Sequence, residues 1–257
     1  MYLWQNKFFM KKSLLYLLLT VAFSSCTFTE EITIHTDGTG KYNLNIDGSA
    51  LMAMMPQDSV GGKKEKPIDS TFSFKQLFEE KKDSISKLPK AQQEKIKKME
   101  KFNLRMLMNN ETKKFFFAFD TDFKSVSELE DVMDNMSEMQ KMNKGAKETS
   151  LNPMGNLNVL ENNGSKIKYA YDGKKFSRKA IVDKVALKKA KDSTDSYKMI
   201  FESSKYILKY HFPKAVKSVS NKTALFSEDR KTITIEHAFN EYVHEPEKLN
   251  FEVVFQK

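Results

Sequence analysis

The 257-residue chain contains one cysteine, Cys26, so no disulfide can form within it. Its fold must be held by an apolar core, which a chain of this length can bury. The same count excludes cysteine metal sites built from several thiols. What surrounds Cys26 narrows the reading further. Lys7, Lys11 and Lys12 precede an apolar run from Ser13 to Phe23, and Ser24-Ser25 separate that run from the cysteine. A positive stretch, an apolar stretch and small residues before a cut form the three-part layout of an export signal. The run is too short for the roughly 20 apolar residues of a stable membrane span. Met10-Lys-Lys is an alternative translation start to Met1.

Phe23-Ser24-Ser25-Cys26 resembles the lipobox of bacterial lipoproteins, in which the cysteine is diacylated and becomes the first residue of the mature protein. The usual leucine three positions before the cysteine is here Phe23. The resemblance implies a signal peptide over residues 1–25, lipidation at Cys26 (palmitate among the acyl groups) and an acylated tether over 26–31. Two or more acyl chains hold a protein stably on a bilayer where one does not. Thr27 follows the cysteine instead of the aspartate that retains some lipoproteins at the inner membrane. The expected address is therefore the cell envelope, lipid-anchored, at the outer membrane.

Removing the leader leaves 232 residues and lowers the net charge from +9 to +6. The excess lysine is spread along the chain. For an exported protein this reads as a solvated surface near anionic headgroups, and no nucleic-acid partner is expected.

Ile32 to Ile46 alternates apolar and polar residues around Asp37-Gly38-Thr39-Gly40, which predicts a β-hairpin with positive-φ glycines at 38 and 40. Ser49 to Met55 reads as a short helix ending before Pro56. Residues 56–70 read as a loop. Phe72 to Phe102 has helical spacing, broken at Leu88-Pro89, with Phe74, Leu77, Phe78 and Ile85 on one face and Ile96 and Met99 inward after the break. Leu104 to Phe123 predicts a second hairpin turning at Asn109-Asn110-Glu111, with Phe116 out of register. Ser125 and Glu128 fit a capping box that opens a helix with the stripe Leu129, Val132, Met133, Met136 and Met139.

Further on, Asn156 to Ser177 predicts a strand pair turning at Asn162-Asn163-Gly164, and Ile181 to Asp192 a lysine-rich helix. Tyr197 to Phe212 reads as strand, Val216 to Phe226 as strand and turn, and Thr232 to Glu236 as strand. Phe239 to Val243 reads as a short helix. Leu249 to Phe255 is a closing strand. Hairpins at both ends with helices between them indicate an α+β fold: a largely antiparallel sheet with helices packed on one face. The expected organisation is one domain over residues 32–257 with a helical insertion around 70–145.

The layout also resembles uncharacterised outer-membrane lipoproteins of Gram-negative bacteria, through Glu30-Glu31, Ile32-Thr-Ile34 and Asp37-Gly-Thr-Gly40. The tail is similar to the end of LppM-like lipoprotein domains, at His211-Phe-Pro213, Val216 to Asn221 and Ser227 to Glu236. Both resemblances imply a β-rich, non-enzymatic envelope domain and carry no catalytic residue.

The residues agree. Asp37-Gly-Thr-Gly40 has the wrong order for an aspartic-protease motif, and no second copy supplies the carboxylate dyad. Gly38 and Gly40 do not precede a helix, so they do not cradle phosphate. His237 and His244, with Glu236, Glu241 and Glu245 nearby, are the one set that could be weighed as a zinc site. Surface histidines are the plainer reading, and no metal or cofactor is expected. Grouped methionines (Met52, Met54, Met55; Met133, Met136, Met139, Met142) and aromatic strands (Phe115, Phe117, Phe119, Tyr169, Tyr171, Tyr206, Tyr210) suit a core first. They also suit an apolar-ligand or protein partner. The expected function is a membrane-anchored binding or structural lipoprotein; a lipid carrier is the alternative, and an enzyme comes third.

Overall fold

The computed structural model describes residues 25–54, 67–130, 132, 164–194 and 201–257. The described residues form an α+β fold of twelve strands in two sheets, with short helices between them.

Strand β1 (Thr27–Ile34) pairs antiparallel with β2 (Gly40–Asp47) through the predicted hairpin. The structure divides the roles of its glycines. Gly38 sits in the turn at φ +84°, where L-residues are strained. Gly40 has no positive φ; it is required by proximity, because a Cβ there would lie 1.9 Å from the Thr33 carbonyl oxygen and 2.4 Å from the Phe123 ring.

Helix α1 (Ser49–Met54) follows, then β3 (Ile68–Ser73), α2 (Phe74–Glu80), α3 (Lys82–Ile85) and α4 (Lys90–Met99). The helical reading of 72–102 holds for α2 to α4. Phe74, Ile96 and Met99 are buried, Leu77, Phe78 and Ile85 pack beside them, and Pro89 stands just ahead of α4. The expected loop instead ends in β3, an edge strand paired with β4. Its polar Asp69-Ser70-Thr71 carries no alternation, so its strand identity comes from its neighbour.

The second hairpin is β4 (Phe102–Asn109) and β5 (Lys114–Phe123). Phe115, Phe117 and Phe119 point inward, and Phe116 lies half-buried on the opposite face, across from Leu107. Ser125 caps a 3₁₀ turn, Val126–Leu129, by accepting from the Ser127 amide. Val126, Leu129 and Val132 are buried. The predicted Met133, Met136 and Met139 stripe lies outside the described residues.

Strands β6 (Ser165–Tyr171) and β7 (Lys175–Val182) form the third hairpin. Its turn is at Asp172-Gly173-Lys174; Asn162, Asn163 and the strand expected before them lie outside the described residues. Asp172 Oδ1 accepts from the amides of Lys174 and Lys175, and Gly173 has φ +78°. Helix α5 (Lys184–Thr194) therefore starts after Ile181, which belongs to β7. Strand β8 (Lys205–His211) is shorter than Tyr197 to Phe212; Phe201 sits in a helical turn before it. Strands β9 (Val216–Val219), β10 (Leu225–Phe226) and β11 (Thr232–Ala238), helix α6 (Phe239–His244) and a 3₁₀ turn over Pro246–Leu249 lead to β12 (Phe251–Phe255).

The long sheet runs β10-β11-β8-β1-β2-β5-β4-β3, antiparallel except between β1 and β8. The short sheet runs β6-β7-β12-β9. Register makes Phe28, Glu30, Ile32, Tyr42, Leu44, Leu104, Phe119, Tyr206, Leu208 and Tyr210 share the inner face of the long sheet. The outer face carries residues such as Lys41, Asn43, Glu31, Lys209 and Asp120. The short sheet and the helices cover the inner face. The sheet-with-helices expectation thus holds, but the single sheet becomes two layers.

Candidate functional site

The first departure from the sequence reading is at the tether. Thr27 to Glu31 are not a linker but the opening of β1, the centre of the long sheet, paired on one side with β2 and on the other with β8. Backbone pairing fixes them, and Phe28 packs face to face on Phe239 with centroids 4.2 Å apart. Cys26 itself is enclosed, 4% exposed, and its carbonyl accepts from the Lys205 amide at 3.0 Å. Burial pushes its thiol up, while the Leu51 backbone of α1 pulls the other way. A thiol so enclosed is a poor nucleophile in the folded chain.

Four residues on, Glu30 occupies an inward position of β1 and is fully buried opposite the short sheet. Its Oε1 accepts from the Tyr169 hydroxyl at 3.0 Å, from the Tyr210 hydroxyl and from Arg178 Nε at 3.4 Å. Its Oε2 accepts from the Tyr206 hydroxyl at 2.8 Å and from Arg178 Nη2 at 3.5 Å. Arg178, 1% exposed on β7, spends Nη1 on the Leu249 carbonyl at 3.2 Å. Tyr242 of α6 stacks on Tyr206 at 4.1 Å and 6°. The cluster therefore joins β1 and β8 of one sheet to β6 and β7 of the other.

Its electrostatics follow from burial and pairing. Burial alone would push the Glu30 carboxyl up; the Arg178 guanidinium and the Tyr210 and Tyr206 hydroxyls outweigh it and hold the carboxyl below its ordinary range. Burial, and then the Glu30 charge, push Tyr42, Tyr169, Tyr206, Tyr210 and Tyr242 up, so all stay neutral. A carboxylate with five donors has few lone-pair positions left. With its basicity also lowered, it is poorly suited to general-base work, which favours a pKa near neutrality. What the arrangement does well is fix two layers in one register.

Around it the interlayer space is filled by rings. Phe176 lies 5.5 Å from Tyr210 and 5.4 Å from Phe212, and Phe251 lies 5.2 Å from Tyr210. The aromatic strand residues expected to pack as core do so: Phe115, Phe117, Phe119, Tyr169, Tyr206 and Tyr210 are buried, and Tyr171 is half-buried.

The histidine set is not gathered into a metal site. His237 Nδ1 meets Glu241 at 3.1 Å, but the Lys248 ammonium binds the same carboxylate at 3.1 Å. A cation already occupies that position. Among the described residues no three His, Cys, Asp or Glu side chains stand close enough to share a metal ion. Nor is any helix of the described residues long and apolar enough to cross a membrane.

The Glu30 cluster was missed by sequence reading, although it leaves a trace there. Glu30 falls in the apolar register of Phe28, Ile32 and Ile34, and Arg178 in that of Phe176 and Ala180. Opposite charges at inward positions of two strands predict a buried pair, because neither could be buried alone.

No protein-family model matches the chain, and no curated protein is similar to it in sequence. Among solved structures, it is similar to the folded domain of the Mycobacterium tuberculosis protein LppM, determined by NMR. Identity is 10% and the TM-score 0.37, with 90% of this chain and 91% of that one covered. A likeness this distant carries nothing about what the chain does.

Proposed function

We propose that the chain is an exported lipoprotein of the bacterial envelope, anchored through acyl groups on Cys26 and non-enzymatic, with a binding or structural role. The observation that carries this reading is the placement of Cys26. The lone cysteine follows an export-type leader and immediately precedes the first strand of the fold. The folded domain thus begins where the lipoprotein leader ends. Acylation of so enclosed a thiol would have to come before folding, as it does when a precursor is modified while still threaded in the membrane. The saturated Glu30 cluster supports the non-enzymatic part, being built to hold layers together instead of moving protons. Thr27 after the cysteine favours delivery to the outer membrane.

Labelled palmitate should enter the protein in growing cells, and the Cys26→Ser variant should take up none and accumulate as unprocessed precursor. Palmitate incorporation into Cys26→Ser would reject the anchor. Co-fractionation with inner-membrane markers on a density gradient would reject the outer-membrane address.

A further inference from the structure

We infer that the end of the molecule where β1 begins is a membrane-contacting face, seated on an anionic lipid surface through α5 and the end of β7. The inference rests on the anchor reading and adds an orientation to it. With Thr27 already in the sheet, no flexible spacer separates the acylated residue from the fold. A domain anchored this way cannot swing freely, and whatever surrounds Cys26 is held at the headgroups.

What surrounds it can be followed through the packing. Strand β7 passes Tyr210 at Phe176, then Glu30 at Arg178. Tyr210 pairs with Ile32, and Tyr206 with Phe28, so this direction runs toward Cys26. The strand continues to Ile181, and α5 follows and packs on α6. Helix α6 stands at the same end, because its Phe239 stacks on Phe28 and its amide binds the Ser204 carbonyl.

This corner has the surface chemistry of an interfacial helix. Ile181 and Val185 are 53% and 68% exposed, two of the four large exposed apolar side chains among the described residues. Lys184, Lys188 and Lys189 are exposed around them. Asp183, which directly precedes them, turns its carboxylate onto the amides of Val185 and Ala186. Apolar side chains ringed by lysine are the composition that inserts at an anionic bilayer surface. The opposite end, at the β1–β2 turn, presents exposed His35, Thr36 and Asp37 and faces away.

With Cys26 acylated, Val185→Cys supplies the only free thiol. A nitroxide there, on full-length lipidated protein in vesicles of phosphatidylethanolamine and phosphatidylglycerol, should be several-fold less accessible to a water-soluble nickel relaxant than one at Thr36→Cys. The protection should weaken when Lys184, Lys188 and Lys189 are all changed to Glu. Equal accessibility at the two sites, with Cys26 acylated, overturns the face while leaving the anchor standing. An unacylated Cys26 overturns both.

Discussion

Under the short sheet, the inner face of β1 and β8 carries Glu30, Tyr206 and Tyr210, closed over by Arg178 and Tyr169. Under helices α2 to α4, the same face of β4 and β5 carries Phe102, Leu104, Phe117 and Phe119, with Phe102 and Phe119 stacked at 4.6 Å. One half of a continuous face is thus held by a buried, hydrogen-bonded ion pair and the other by apolar contact, with the uncharged Thr121 satisfied by backbone carbonyls. The two solutions differ in what they make specific. Apolar packing tolerates exchange of shape at modest cost, whereas a buried carboxylate is tolerable only when its donors arrive in one arrangement. The polar half therefore dictates how the two sheets meet.

The largest effect expected from breaking this contrast is at Glu30. Glu30→Ala leaves Arg178 charged and enclosed, and removal of one partner of a buried pair costs about 3–5 kcal/mol. Urea melts at neutral pH should show a loss of that size; a loss under about 1 kcal/mol would mean that the cluster is open to water. In the apolar half, Leu104→Ala, at 2% exposure, should cost about 2–5 kcal/mol in the same melts.

Acid sharpens the comparison. The Glu30 carboxyl is held low in the fold, so its contribution is fully present above the unfolded value of about 4.3 and is lost as pH falls through the lower folded value. The urea midpoint should therefore fall steeply on entering that acid range. The double variant Glu30→Leu/Arg178→Met should lose the Glu30 part of that dependence; because it also strips the buried Tyr169, Tyr206 and Tyr210 hydroxyls of their acceptor, its stability at neutral pH should fall below the parent's. Leu104→Ala should keep the full acid dependence. Identical acid profiles for parent and double variant would contradict the assignment.

The smallest effect is one residue away. Glu31 points to the outer face, where it meets His211 Nε2 at 2.7 Å and Lys209 Nζ at 2.9 Å with a quarter of its side chain in water. Glu31→Ala should cost no more than about 1 kcal/mol, as partly solvated pairs do, and less in high salt.

The neighbouring glutamates also show what the sequence made legible. Alternation exposed the two N-terminal hairpins, β8, β11 and the closing strand, because each has one wet and one dry face. It placed the break at Pro89 for the same local reason: the ring constrains the backbone around it. It did not expose β3, whose polar residues become a strand only by pairing with β4. It did not single out the turn at Asp172-Gly173 between β6 and β7, since several Asx and Gly positions offer equivalent local chemistry. Thr27 to Glu31 read as a tether because the lipobox resemblance implies one after Cys26; nothing local distinguishes, between Glu30 and Glu31, the one that a distant arginine will bury. The leader is what makes Cys26 a proposed anchor; its enclosure beneath α1 was not legible, because that depends on contacts with Leu51 and with β8.

The account turns on Cys26 being the acylated first residue of a domain that starts without a spacer. The direct measurement is the mass of the N-terminal peptide of protein purified from its own membranes. The account predicts a peptide beginning at Cys26, with nothing of residues 1–25 and with a diacylglyceryl thioether on the sulfur. A peptide that begins elsewhere, or a Cys26 with its free thiol, would contradict it.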